Sequence, residues 1–239
     1  IGMNLYRLDG APGHKLRVKI YRKDSPIPLS DVLPIFEDLG FKVIDEGGPH
    51  QVQVGEHTLV IHNFGLETRD GSDVQLAAIR ENFHAIFLKV WNGEIESDGF
   101  NALVARTGLA WREIVILRAL CKYLRQTGIT FSQTYMEQTM ANNPRIAGDL
   151  VGLFQNQFDP AAGPAGVAKS KRLTAKITKA LEGVASADED RILQRYLNLL
   201  QCMLRTNFFQ SGADGSHKSY ISFKFNAQNL DDIPLPKPL

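Results

Sequence analysis

The run GPAGVAKS at residues 163–170 is the nearest this chain comes to a phosphate-holding loop. Such a loop needs a strand, then glycines that let backbone N–H groups approach phosphate oxygens, then Gly-Lys-Ser/Thr opening a helix. Ala168 stands where the glycine before Lys169 is required, and no strand pattern leads in, so the run reads as a solvated helix start. No G-x-G-x-x-G occurs, so no dinucleotide grip is expected. The helix expected over residues 167–184 carries Lys169, Lys171, Arg172, Lys176 and Lys179, a basic stripe that could meet phosphates as a nucleic-acid contact. It has no interleaved aromatics on which bases could stack, so a plain exposed face is the better reading.

Residues 94–99, EIESDG, imitate the start of a calcium loop, but its twelfth position, where a bidentate carboxylate belongs, is Ala105. An acidic connector is expected instead. His57 and His62 lie an odd number of residues apart on one strand, which puts them on opposite faces and prevents a shared metal; His14, His50, His84 and His217 have no ligand partners at useful spacing. There is no G-x-S-x-G, and Cys121 and Cys202 fall among core residues of helices, where inert packing is expected. We therefore expect no catalytic, cofactor-binding or metal-ligating residues in this chain.

The elements that would position any site emerge from periodicity. Leu16, Val18 and Ile20 alternate with Arg17, Lys19 and Tyr21 as a first strand. A short helix comes next, with Ser30 as its cap, Pro34 in its first turn and Gly40 as its stop. Residues 41–45 and 57–64 read as two more strands separated by the Gly47-Gly48-Pro49 break, and Ser72 with Asp73 opens a longer helix toward Val90. The order β-α-β-β-α belongs to the split βαβ, ferredoxin-like group, one strand short of the usual six elements. Residues 94–97 or another segment would fill that edge.

From about Phe100 the pattern turns helical. Residues 111–125 are apolar on nearly all sides, as in a buried central helix. Ser132 starts a short helix, Asn143-Pro144 breaks it, and residues 145–158 form the next. Residues 160–166 read as a loop. Two helices are then expected, over 167–184 and 188–209 with Ser186 or Asp188 near the second cap, and a closing strand over 219–225.

With 239 residues, 44% apolar and 22% charged, the chain is long enough for one large or two smaller cores and too apolar for disorder. The 27 basic against 26 acidic residues leave no overall field to draw in nucleic acid or an anionic membrane. Two cysteines without clamp spacing favour a reducing compartment, and no apolar run or signal-peptide pattern points to a membrane or to export, so a cytoplasmic protein is expected. The start at Ile1 and the connector-like IPLPKPL at residues 233–239 suggest a piece of a longer chain.

Three long strings carry a resemblance: KIYRKDSPIPLSDVLPIFEDLGF at residues 19–41, WREIVILRALCKYLRQTG at 111–128 and SYISFKFN at 219–226. They resemble the large, long-chain bacterial NAD-specific glutamate dehydrogenases, in the region preceding the catalytic domain. The resemblance implies an α+β, ACT-like module over residues 1–95, then a mainly helical module with a closing strand and Pro-rich connector over 96–239. It implies a parent enzyme that oxidises L-glutamate with NAD to 2-oxoglutarate and ammonia, with its catalytic lysines and nucleotide-binding glycines after Leu239. It also implies partners: the rest of the parent chain, and further copies in a homo-oligomer. ACT modules often bind an amino acid where the first strand meets the first helix, commonly through a glycine. Here that turn, residues 22–30, contains none; its candidate effector residues are Lys23, Asp24, Ser25 and Ser30. The expected role is a non-catalytic regulatory and assembly segment, with an amino-acid-sensing module as the alternative and nucleic-acid contact through residues 167–184 as a further one.

Overall fold

A computed structural model describes residues 1–231, 233 and 237, so most of the Pro-rich connector at 233–239 lies outside the described residues. Contacts divide the chain into two compact units, Ile1–Ile114 and Val115–Leu239.

The first unit is a four-stranded antiparallel sheet in the order β1-β2-β4-β3, from β1 (Gly2–Tyr6), β2 (Lys15–Lys23), β3 (Phe41–Val54) and β4 (His57–Thr68). Leu16, Val18 and Ile20 of β2 share a buried face with Val60, Phe64 and Leu66 of β4. Helices α1 (Leu29–Asp38) and α2 (Leu76–Trp91) supply the partners for that face. The Phe36 ring of α1 joins the layers, with centroids 5.3 Å from Phe64, 6.2 Å from Phe83 and 5.5 Å from Phe87.

The strand that completes the sheet is β1, upstream of β2; residues 94–97 form no strand and lead into a 3₁₀ turn at Gly99–Ala102. It lies beside β2 with Leu5 opposite Val18. The module is thus the ACT-like arrangement closed by a strand that precedes the others. The Gly47-Gly48-Pro49 sequence does not end β3 either. Gly48 and Pro49 stand against His62 alone, a bulge that lets pairing resume at His50 and run to the tip of the hairpin. A second bulge leaves Ile44 between Val43 and Asp45 without a partner on β4, and Ile44 is exposed.

Two caps differ from expectation. Pro28 takes the N-cap position of α1, while the Ser30 hydroxyl sits inside the first turn and bonds Asp31 Oδ1 at 3.1 Å. α2 starts at Leu76, because the Ser72 hydroxyl is committed to Asp70 Oδ1 at 2.8 Å and accepts from Arg106 at 2.9 Å. A short helix, α3 (Leu103–Thr107), escapes the sequence pattern.

The second unit is mainly helical: most of α4 (Trp111–Gln126), then α5 (Gln133–Asn142), α6 (Pro144–Phe158), α7 (Gly163–Leu181) and α8 (Ala187–Cys202). Ser132 and Ser186 cap α5 and α8 as expected, accepting from the N–H groups of Tyr135 and Glu189. The stretch 160–166 is not a loop. It is a 3₁₀ turn at Pro160–Ala162 leading directly into α7, whose Pro164 suits a first turn where its missing N–H costs nothing. Gly166 lets α7 approach α6, since a Cβ there would lie 2.5 Å from the Asn156 carbonyl oxygen.

The last helix also stops earlier than its apolar stripe suggests. From Met203 the chain becomes β5 (Met203–Thr206), paired antiparallel with β6 (Phe223–Phe225). The small hairpin packs through rings: Phe225 stacks on Tyr123 of α4 at 4.4 Å, and Phe223 meets Phe154 of α6 edge-on at 6.2 Å. Among the described residues, no helix is long and apolar enough to cross a membrane.

Candidate functional site

The turn from β2 into α1 is built by a break in the strand pattern. Lys23 closes β2 opposite Leu59, and Asp24 then takes φ +62°, a left-handed conformation rare for any residue but glycine and most tolerated by Asn and Asp. Its environment fixes it there. The Asp24 N–H donates to the Thr58 carbonyl at 2.7 Å, Asp24 Oδ1 accepts from the Thr58 N–H at 3.0 Å, and Oδ2 lies 3.5 Å from His57 Nδ1. Asp24 therefore clasps the β3–β4 hairpin next to its turn.

The far side of the turn is held from the core. The Ile27 N–H donates to His62 Nε2 at 3.0 Å, and the imidazole is only 2% exposed. Because Nε2 accepts, Nδ1 carries the proton and donates to Glu46 Oε1 at 2.7 Å. The ring lies parallel to Phe64, 6.0 Å away. Between these anchors, Arg22 Nη1 donates to the Pro26 carbonyl at 3.1 Å, while its guanidinium carbon sits 5.9 Å from the centre of the Trp91 ring.

Of the four candidate residues, Lys23, Asp24 and Ser25 succeed one another through the bend, whereas Ser30 lies in α1 and bonds Asp31. A carboxylate free to hold an ammonium group and an N–H free to hold a carboxylate are what such a turn would offer an amino acid. Asp24 Oδ1 and the Ile27 N–H are instead satisfied within the chain. His62 and Glu46 are the polar residues that sequence reasoning missed. Their register across the Gly48-Pro49 bulge puts both on the buried face, and the sequence shows only two residues sixteen apart.

The open face of the sheet carries a second polar set. Asn63 Oδ1 accepts from Tyr6 Oη at 3.1 Å and from Arg17 Nε at 3.3 Å, and Arg17 Nη2 donates to Asp45 Oδ1 at 2.6 Å. One residue comes from each strand. Gly65 makes the room, since a Cβ there would lie 2.6 Å from Asp45 Oδ2. These bonds are mutually satisfying and serve registry rather than chemistry. Among the described residues, no group of three or more His, Cys, Asp or Glu side chains could hold a metal ion.

The residues that echo a nucleotide loop do not fit one. Residues 163–170 come after helix α6 rather than a strand, and Gly166 is pressed against the Asn156 carbonyl, which occupies the space a phosphate would need.

Family comparison gives the same order of modules. Residues 1–79 match the glutamate dehydrogenase ACT3 domain, 95–160 match glutamate dehydrogenase helical motif 3, and 176–239 match the bacterial NAD-glutamate dehydrogenase catalytic domain. The last match begins within α7. The NAD-specific glutamate dehydrogenase of Halomonas elongata is 37% identical over 238 residues, covering 100% of this chain and 15% of that protein. The Pseudomonas aeruginosa enzyme of the same name is 36% identical, covering 99% of this chain and 15% of its own length. That of Mycobacterium tuberculosis is 32% identical over 217 residues, covering 88% of this chain and 13% of its own. The chain thus spans about 15% of the length of the first two relatives. Along its whole length the chain is similar to bacterial NAD-specific glutamate dehydrogenases, aligned with a stretch where matches to an ACT3 domain, a helical motif and the catalytic domain succeed one another.

Proposed function

We propose that this chain is a non-catalytic regulatory and assembly segment of an NAD-dependent glutamate dehydrogenase, a cytoplasmic homo-oligomer whose complete chain converts L-glutamate and NAD to 2-oxoglutarate and ammonia. The relatives' names and the family matches support the parent activity. One observation carries the non-catalytic part. The turn best placed to receive a small molecule has its key groups engaged inside the chain, Asp24 with Thr58 and the Ile27 N–H with His62. A turn fixed at both ends orients α1 on the sheet, which is a scaffold's task. NAD is the cofactor of the parent rather than of this segment.

The test is to incubate the 239-residue chain with L-glutamate and NAD and monitor NADH absorbance. No turnover is expected, and NADH production at an enzyme-like rate would refute the proposal. Calorimetric titration with amino acids should likewise give no saturable heat. Saturable heat abolished by Asp24→Ala would instead establish the turn as a sensor.

A further inference from the structure

In the second unit, the last turn of α6 and one face of α7 enclose a hollow of about 660 Å³, walled by Asn156, Gln157 and Asp159 from the first helix and its end and by Val167, Ser170 and Thr174 from the second. Its size suits a small molecule, and Pro160, Val167 and Ala175 give it apolar surface. Val167 is 62% exposed. Ser170 is the opposite case: it is only 8% exposed, yet its hydroxyl has no hydrogen-bond partner among the described residues. Keeping a buried hydroxyl unpaired is costly. A serine hydroxyl turns among staggered χ1 positions, so a donor seated in the hollow can recruit it.

The end of α6 decides which charge the hollow favours. Pro160 has no N–H to offer the Asn156 carbonyl, the Ala161 N–H donates to Asp159 Oδ1 at 2.8 Å, and the Ala162 N–H donates to the Asp159 carbonyl at 3.0 Å. The helix ladder therefore stops short of the carbonyls of Asn156, Gln157 and Phe158. No basic residue stands in the last turn of α6 to meet its negative end. Asp159 adds a carboxylate whose Oδ2 has no partner among the described residues. Lys171 is the one cation among the residues lining the hollow, and its exposed side chain can turn its ammonium to solvent. A helix end, a carboxylate and a hydroxyl beside an apolar wall are acceptors for an ammonium group carried on an aliphatic stem.

We propose that the hollow between α6 and α7 binds a small aliphatic amine, its ammonium held by Asp159, the end of α6 and the Ser170 hydroxyl, and its stem lying against Val167 and Ala175. An α-amino acid is not its ligand, because the carboxylate one carbon from the ammonium would face Asp159 and the same carbonyls. The site is separate from the β2–α1 turn and stands whether or not that turn binds anything. The experiment is calorimetric titration of the 239-residue chain at neutral pH and low ionic strength, with n-butylammonium chloride in one arm and sodium butyrate in the other. The amine arm is expected to saturate with Kd on the order of 1 mM, and the butyrate arm to give no saturable heat. Asp159→Asn keeps an acceptor for the Ala161 N–H but removes the charge, and should weaken amine binding roughly tenfold. Ser170→Ala should weaken it roughly fivefold while leaving the Tm of the free chain unchanged or raised, since no hydrogen bond within the chain is lost. Lys171→Gln should instead tighten it, a direction that an anion site would reverse. Thermal unfolding without ligand serves as the folding control, and Ser170→Ala keeps the test if Asp159→Asn fails it. No saturation by butylammonium below ~50 mM, tighter binding of butyrate than of the amine, or undiminished affinity in folded Asp159→Asn and Ser170→Ala would overturn the proposal.

Discussion

The two edges of the four-stranded sheet solve one problem in opposite ways. At one edge lies β1, five residues long, with a single fully buried side chain, Leu5. So short a strand is held by bonds from distant parts of the chain. The Leu5 N–H donates to His84 Nε2 of α2 at 3.0 Å, and beyond the strand Arg7 Nη2 donates to the carbonyls of Gly13 and Val74 at 2.6 and 2.7 Å. At the other edge β3 runs for fourteen residues and pairs only with β4 among the described residues. Its hairpin turn holds it covalently, so it can leave Val52 and Val54 half exposed, at 47% and 57%. Two bulges and Pro49 break its flatness, features that discourage pairing with a foreign strand. A short edge strand needs side-chain ties, whereas a long one held in a hairpin needs only to be made irregular.

Removing the ties one at a time measures that difference, with the interior tie setting the scale. His62→Ala leaves the buried Ile27 N–H without an acceptor and opens a cavity beside Phe64. A loss of about 3 kcal/mol is expected in urea unfolding monitored by NMR signals of the first unit. The β1 tie is half-buried, so His84→Ala should cost less, about 1–2 kcal/mol, and should speed hydrogen exchange of the Leu5 amide roughly tenfold or more. An unchanged Leu5 exchange rate would show that strand pairing alone holds this edge.

The same tie has a pH signature. Burial, and secondarily the charge of Arg80, hold the His84 imidazole below its ordinary value. Between the lowered folded value and an unfolded value of about 6.5, the unfolded chain binds more protons, so stability rises with pH through that window. The contribution of His84 is complete above it and is lost on acidification. Stability measured from neutral pH downward should fall less steeply in His84→Ala than in the parent chain.

The smallest effect belongs to the other edge. Val52→Thr and Val54→Lys touch a strand with solvent on one side and should shift stability by no more than about 0.5 kcal/mol in the same unfolding measurement. A loss of several times that would mean the β3 edge is covered.

Where the sequence was legible, one element carried its own evidence. The alternation of Leu16, Val18 and Ile20 located β2, and Ser132 and Ser186 marked the starts of α5 and α8 correctly. What escaped depended on a partner. β1 has one buried residue and therefore no pattern, and β3 passes through Gly48-Pro49 only because β4 is there to resume pairing. Met203 and Leu204 continue the apolar stripe of α8 but belong to β5, because Phe223 and Phe225 return from further along to pair with it. The site shows the same limit. Asp24 could be named from its place in a turn, whereas Glu46 and His62 become neighbours only once the register and its bulge are known.

Closing the sheet with a strand from upstream has a consequence for synthesis. All four strands and both covering helices are encoded by Trp91, ahead of the 3₁₀ turn and α3 that complete the unit. A ribosome can extrude every strand of this sheet while α4 and the later helices are still being made, and domains generally fold as units during synthesis.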